Sequence, residues 1–208
     1  FTDKTGFVHQ MWQTDFTYFK ILGWGWYYLS TVLDDYSRYI VHWELCSTMK
    51  VDDVKRTVDL AIKKARLMTK QKPRLLSDNG SCYIASELKL YLKDNYQMQQ
   101  VHGRPNHPQT QGKIERYHRT MKNVVKLDNY FAPEELEAAL EKFVYRYNNE
   151  RYHESLNNLT PADVYFGRGE SILKEREKLK KIAIINRRNE YQKIKLITNQ
   201  KKHLSLNY

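Results

Sequence analysis

Three acidic residues stand far apart in a chain of 208 residues: Asp15 in WQTDFTYFK, Asp78 in LLSDNGS and Glu115 in HPQTQGKIERYHRT, with 36 residues between the last two. Phosphodiester chemistry needs a charge clamp on both the attacking and the leaving oxygen. Two Mg²⁺ or Mn²⁺ ions roughly 3.5–4 Å apart supply it when hard carboxylates hold them. Asp15, at the centre of a strand, can bridge both ions, while Asp78 and a helix-borne Glu115 each complete one. The set therefore predicts a two-metal phosphoryl-transfer site acting on DNA.

Glu115 is singled out by its helical neighbours. Over 112–127, Ile114, His118, Met121 and Val125 recur at helical spacing and should face a sheet. The adjoining stripe is Glu115, Arg119, Lys122 and Lys126, one acid followed by three bases, as a site would use to hold a metal and grip phosphates beside it. The alternative is a solvated face with a Glu115–Arg119 pair worth a few tenths of a kcal/mol. Asp15 has the alternative of a solubilising edge charge, though a carboxylate in so apolar a strand is costly without a metal or partner. Asp78 before Asn79-Gly80 has the alternative of a turn former. Asp34 and Asp35 of DDYSR read as turn and capping residues, and His107 and His118 as structural. No GxSxG elbow, P-loop, activated Cys or dinucleotide fingerprint is present.

The elements that must carry these residues follow from period and punctuation. Trp12 to Ile21 alternates, with Trp12, Thr14, Phe16 and Tyr18 on one face and Gln13, Asp15 and Thr17 on the other. After the Gly23 to Gly25 turn, 26–33 and 39–46 complete an antiparallel meander. Val54, Val58, Ala61, Ile62, Ala65 and Met68 then mark a crossing helix, capped at Asp52 or Asp53. A buried strand at 74–77 ends on Asp78. Ser86 caps a helix through Asp94, 97–101 is a last strand, and a loop at 102–112 leads to the Glu115 helix. Pro133 opens another helix, and Thr160-Pro161-Ala162-Asp163 is a capping-box start. The order predicts α/β class, a five-stranded mixed sheet flanked by helices, with the first and fourth strands adjacent so that Asp15 and Asp78 are neighbours.

Charge points to the partner. Lys and Arg number 35 against 24 Asp and Glu, a net +11 that favours a polyanion held through its phosphates. Residues 168–208 carry twelve Lys or Arg against four Glu, and so +8 of that total. A seam of Ile172, Leu179 and Ile182 does not continue as a heptad, so this segment reads as a basic helical or partly disordered tail. No apolar run spans a bilayer. Two cysteines, Cys46 and Cys82, with no signal-like start fit a reducing, cytoplasmic compartment and argue against a disulfide framework, and without metal-binding Cys pairs no zinc module is expected. The start at Phe1 suggests a fragment, with 1–8 a lead-in, 9–167 a catalytic core and 168–208 the tail.

WQTDFTYF, LDDYSRYIV, LLSDNGSCY, HPQTQGKIER and YHESLNNLTPADVY together resemble signature stretches of the retroviral integrase catalytic core. They are closer still to the bacterial insertion-sequence transposases that share it. The resemblance implies a ribonuclease-H-like fold, two divalent metal ions, and cutting and 3′-OH joining of DNA at element ends by a homo-oligomer in a bacterial cell. By position it assigns Asp15, Asp78 and Glu115 as metal ligands and Lys122 as a contact to element-end DNA, with Arg119 beside it. Asn79, Gly80, Gln109, Gln111 and Gly112 fall at motif positions near the site. The DNA contacts expected are thus Arg119, Lys122, Lys126, Lys113, Gln111 and Asn79. Two departures stand out: the Asp78 to Glu115 spacing is one residue longer than the commonest, and Asn106 replaces a usual aromatic. A nuclease on the same fold that cuts without joining, or an inactive DNA-binding remnant, are the alternative functions.

Overall fold

Alternating residues from Met11 to Ile21 build β1, which turns through Gly23 and Gly25, both at positive φ, into β2 (Gly25–Asp34). Glycine is used there because only it enters this region without steric cost. β3 (Ile40–Cys46) completes the antiparallel meander, and α1 (Val51–Ala65) crosses to β4 (Arg74–Ser77). After α2 (Ser81–Ile84), α3 (Ser86–Tyr96) and β5 (Gln100–His102), the chain continues through α4 (Gly112–Val125), α5 (Pro133–Asn149) and α6 (Pro161–Tyr165). This computed structural model describes residues 4–66, 72–103 and 111–205. The expected Met68, Asn106, His107 and Gln109 lie outside the described residues.

The sheet order is β3-β2-β1-β4-β5, with β4 and β5 parallel to β1. The first and fourth strands are adjacent, as the element order requires. Each face of the sheet carries its own core. On one, Phe19, Ile21, Leu29 and Leu33 pack against α4 and α5. On the other, Trp12, Val32, Val41 and Leu75 pack against α1 and α3. Alternation along β1 sends Trp12 to one core and Phe19 to the other, the two-sided burial expected of a central strand. Asn148 of α5 bonds both the N–H and the C=O of Ile40, tying that helix to β3.

Several boundaries differ from the sequence reading. The N-cap of α1 is Lys50 rather than Asp52 or Asp53, and Asp53 serves from the third helical position, accepting the Lys50 N–H at 3.0 Å. A carboxylate can satisfy a free N–H from inside the first turn as well as from the cap. α3 is preceded by Ala85, not capped by Ser86, because α2 ends where α3 begins. Gln97 is not in a strand: it closes α3 in the left-handed conformation, and β5 starts three residues later. The capping box at Thr160 and Asp163 forms as read.

Residues Phe1–Phe166 and Gly167–Tyr208 form two compact units. The second contains one helix, α7 (Gly169–Ser205). Its 37 residues span about 55 Å at 1.5 Å per residue. Glu170–Lys174 and Glu177–Lys181 pairs at i,i+4 support it, and Leu179 and Ile182 are exposed rather than packed in a seam. No helix among the described residues is long and apolar enough to cross a membrane.

Candidate active site

β1 and β4 pair only through Met11–Arg74, Trp12–Leu75 and Gln13–Leu76. Extending that register by two residues puts Asp78, just past the end of β4, level with Asp15. The two acids therefore stand where adjacent parallel strands part, the place where open α/β sheets form crevices. Burial raises the Cys82 thiol above its ordinary value, and the charges of Asp78 and, more weakly, Asp15 raise it further. Both carboxylates are thus within electrostatic reach of one side chain.

Glu115 arrives from α4. The stripe Ile114, His118, Met121 and Val125 is buried against the sheet, which leaves Glu115 and Arg119 exposed and Lys122 partly covered. Asp15, Glu115, Arg119 and Lys122 line one open cleft of about 410 Å³, together with His118 and Tyr18. The apolar stripe fixes the rotation of α4, and this rotation aims the acid and the bases into the cleft.

The position of α4 along its own axis is set by Gln13, two residues before Asp15 and 1% exposed. Its Oε1 accepts the Ile114 N–H at 3.1 Å and its Nε2 donates to Asp35 Oδ1 at 2.6 Å. Asp35 in turn accepts Lys113 Nζ at 2.5 Å and the Thr5 hydroxyl at 2.6 Å. Asp35 is therefore more than a turn residue, and Lys113, expected on DNA, has its charge engaged by Asp35. Asp34 does act as the turn former, accepting the Ser37 N–H and hydroxyl, and burial raises its carboxyl above the ordinary range.

His118 is the partner that Asp15 lacked in the sequence reading. Its Nδ1 lies 3.3 Å from Asp15 Oδ2, with the imidazole 8% and the carboxylate 21% exposed. Asp78 occupies its own turn, where Oδ1 accepts the Gly80 N–H at 2.9 Å. A Cβ on Gly80 would stand 2.9 Å from that same oxygen, so a side chain here would push the Asp78 carboxylate out of this bond. Asn79 is exposed, and its Nδ2 donates to Gly103 O at 3.4 Å, linking this turn to the end of β5. Gln111 precedes α4 and is buried.

Asp15 shares the cleft with Glu115 and lies level with Asp78, but the three acids do not converge. Among the described residues no three His, Cys, Asp or Glu side chains come close enough together to hold one metal ion. Electrostatics gives a reason: like charges at close range disfavour one another, and here Asp15 turns to His118 while Asp78 folds onto a backbone N–H. The donor set is nonetheless all carboxylate oxygen, the type that hard divalent cations take. The residues that the sequence reading left out are His118, Gln13, Asp35 and Tyr18.

Residues 8–108 match the family profile described as "Integrase core domain", and residues 96–161 match a second profile with the same description. The chain belongs to the integrase core family. Solved structures agree in fold. A chain of the simian T-cell lymphotropic virus intasome, in complex with PP2A regulatory subunit B56 gamma, superposes with a TM-score of 0.66 at 18% identity. That match covers 78% of this chain and 56% of the other, so the integrase core chain described here spans just over half the length of the intasome chain. The catalytic core domain of BIV integrase superposes with a TM-score of 0.57 at 20% identity, covering 79% of this chain and 99% of that one. The five-stranded mixed sheet is that of a ribonuclease-H-like integrase core, as the element order and the motifs predict.

Proposed function

We propose that this integrase core chain cuts DNA at the ends of a mobile element and joins the freed 3′-OH to a target strand. The observation that carries the reading is the cleft in which Asp15 and Glu115 stand beside Arg119 and Lys122, with Asp78, just past the end of the next strand, level with Asp15. Asp15, Asp78 and Glu115 are the residues that would hold divalent Mg²⁺ or Mn²⁺ ions. When bound, such ions neutralise charge on the attacking and leaving oxygens of an in-line displacement.

The chain's own residues do the rest. Arg119 and Lys122, with Lys126 one turn beyond, hold the phosphates that flank the scissile bond, as charge-assisted donors. In the first step water forms a bond to phosphorus and the P–O3′ bond breaks, leaving a 3′-OH on the element and a 5′-phosphate on the flank. In the second, that 3′-OH attacks a target phosphodiester and a target 3′-OH leaves. Neither step needs a covalent link to protein. Joining two ends in one event calls for at least two chains, so the working form is a multimer on DNA. Asn79 follows Asp78 directly and is exposed for a DNA contact, and α7, in the segment with the +8 excess, grips flanking or target DNA through phosphates without reading sequence.

The test is a strand-transfer assay with the element's terminal DNA bearing a free 3′-OH, in Mg²⁺ or Mn²⁺, on this chain and on Asp15→Asn. Joined products that vanish in the variant support the reading. Metal-dependent nicking without joining makes the chain a nuclease of the same fold. Salt-sensitive binding with neither product makes it a DNA-binding remnant.

A further inference from the structure

We infer that the β1–β2 hairpin carries a stacking platform, Tyr18 and Trp26, for an unpaired nucleobase of the DNA strand that enters the acid cleft. The inference rests on the proposed function and adds a contact that the carboxylates and phosphate-binding cations do not supply.

The strand register brings the rings together. Tyr18 pairs with Tyr28 and Lys20 with Trp26 across β1 and β2, so Tyr18 and Trp26 are diagonal neighbours on one face. Their ring centroids lie 5.3 Å apart at an interplanar angle of 78°. β4 leaves β1 after Gln13, so the outer half of β1 has no partner strand on that side among the described residues. Tyr18 and Trp26 are 50% and 51% exposed, and neither belongs to either core cluster, whereas Phe19 and Ile21 on the same strand are buried. Two large rings held together in water and outside the core offer an apolar face to a ligand.

Charge identifies that ligand. Lys122 Nζ lies 4.8 Å and Lys126 Nζ 5.9 Å from the Tyr18 ring centroid. Tyr18 and Lys122 also line the cleft that contains Asp15 and Glu115. Aromatic faces set among cations fit a nucleic acid, with rings taking bases and ammonium groups taking phosphates. A duplex hides its base faces in the stack, so only a terminal or unpaired base has a face to offer. The ligand is therefore a splayed strand end rather than the side of a duplex.

The test uses the whole chain without divalent ions, so that nothing is cut. Two duplexes of equal length are compared by fluorescence anisotropy, one blunt and one with its last bases unpaired and 2-aminopurine at the unpaired end. The splayed end should bind about fivefold or more tighter than the blunt one, with 2-aminopurine emission quenched. Trp26→Ala should remove that preference and the quenching while leaving blunt-end affinity unchanged, and Trp26→Phe should keep both. Equal affinity for the two duplexes overturns the inference, as does a loss in Trp26→Ala that is the same for both. A change in the sedimentation of free protein in Trp26→Ala with DNA affinity unaltered also overturns it and makes the patch a contact between copies. Strand transfer that survives any of these failures leaves the proposed function standing, whereas no binding to either duplex ends both.

Discussion

His118 Nδ1 stands 3.3 Å from Asp15 Oδ2, three residues along α4 from Glu115 and inside the same cleft. An imidazole this close to a carboxylate orients it, and for the metal-holding role proposed for Asp15, outer partners of this kind are commonly worth ten- to a hundredfold in metal affinity. His118→Leu should weaken Mn²⁺ binding about tenfold by titration calorimetry, whereas His118→Asn, which keeps a donor, should stay close to wild type. Equal Mn²⁺ affinity in the leucine variant, at unchanged melting temperature, would remove His118 from this positioning role.

Gln13 links three parts of the site: β1, the Asp35 carboxylate and the first turn of α4. Gln13→Leu leaves the Ile114 N–H and one Asp35 oxygen without their buried partner, at a cost of about 2–3 kcal/mol. Urea unfolding should show that loss, and strand transfer should fall by more than the folded fraction, because Glu115 follows Ile114 directly.

Cations at the site divide by what they already touch. Lys122→Ala should lower DNA affinity and reduce the slope of log K against log salt by about 0.9, since one phosphate contact is lost. Lys113→Ala should leave that slope unchanged, because Asp35 already holds this ammonium. It should instead destabilise the fold by about 3 kcal/mol, since the buried Asp35 carboxylate loses its cation. A drop in salt slope for Lys113→Ala would return that residue to the DNA contacts.

His153, in the connection after α5, supplies a pH dependence of stability. Burial, with the charges of Arg151 and Arg38 adding to it, lowers the imidazole from 6.5 to about 4. Between those values the unfolded chain binds a proton that the folded chain does not. The stability from this group is whole above pH 6.5 and is lost as pH falls towards 4. After allowance for solvent screening the loss from pH 7 to pH 5 is about 1 kcal/mol. His153→Phe should show a correspondingly shallower fall in urea-unfolding free energy between those two pH values, and an unchanged fall would show that His153 titrates freely.

How much of this was legible in the sequence depended on how far apart the interacting residues lie. Val54, Val58 and Ala61 announced α1 because a helix repeats within four residues, and Gly23 and Gly25 announced the hairpin because positive φ is a single-residue property. Boundaries such as Lys50 and Ala85 were missed where two local solutions compete for the same N–H groups. His118 was visible only in part. Its place on the apolar stripe put it against the sheet, and the alternation of β1 put Asp15 on a defined face, but whether the two faces met depended on packing.

The sequence by itself determined the three acids, their carriers and the neighbouring positions of β1 and β4, since period, turn chemistry and the short connections of an α/β chain are local constraints. Only the tertiary structure decided that Asp15 meets His118, that Lys113 turns to Asp35 rather than outward, that Gln13 holds the start of α4, and that Tyr18 lies beneath Lys122. Each of those pairs joins residues more than seventy positions apart. Their meeting depends on how α4 is rotated and shifted on the sheet: the close packing of Ile114, Met121 and Val125 in the shared core fixes the rotation, and the bond from the Ile114 N–H to Gln13 fixes the shift.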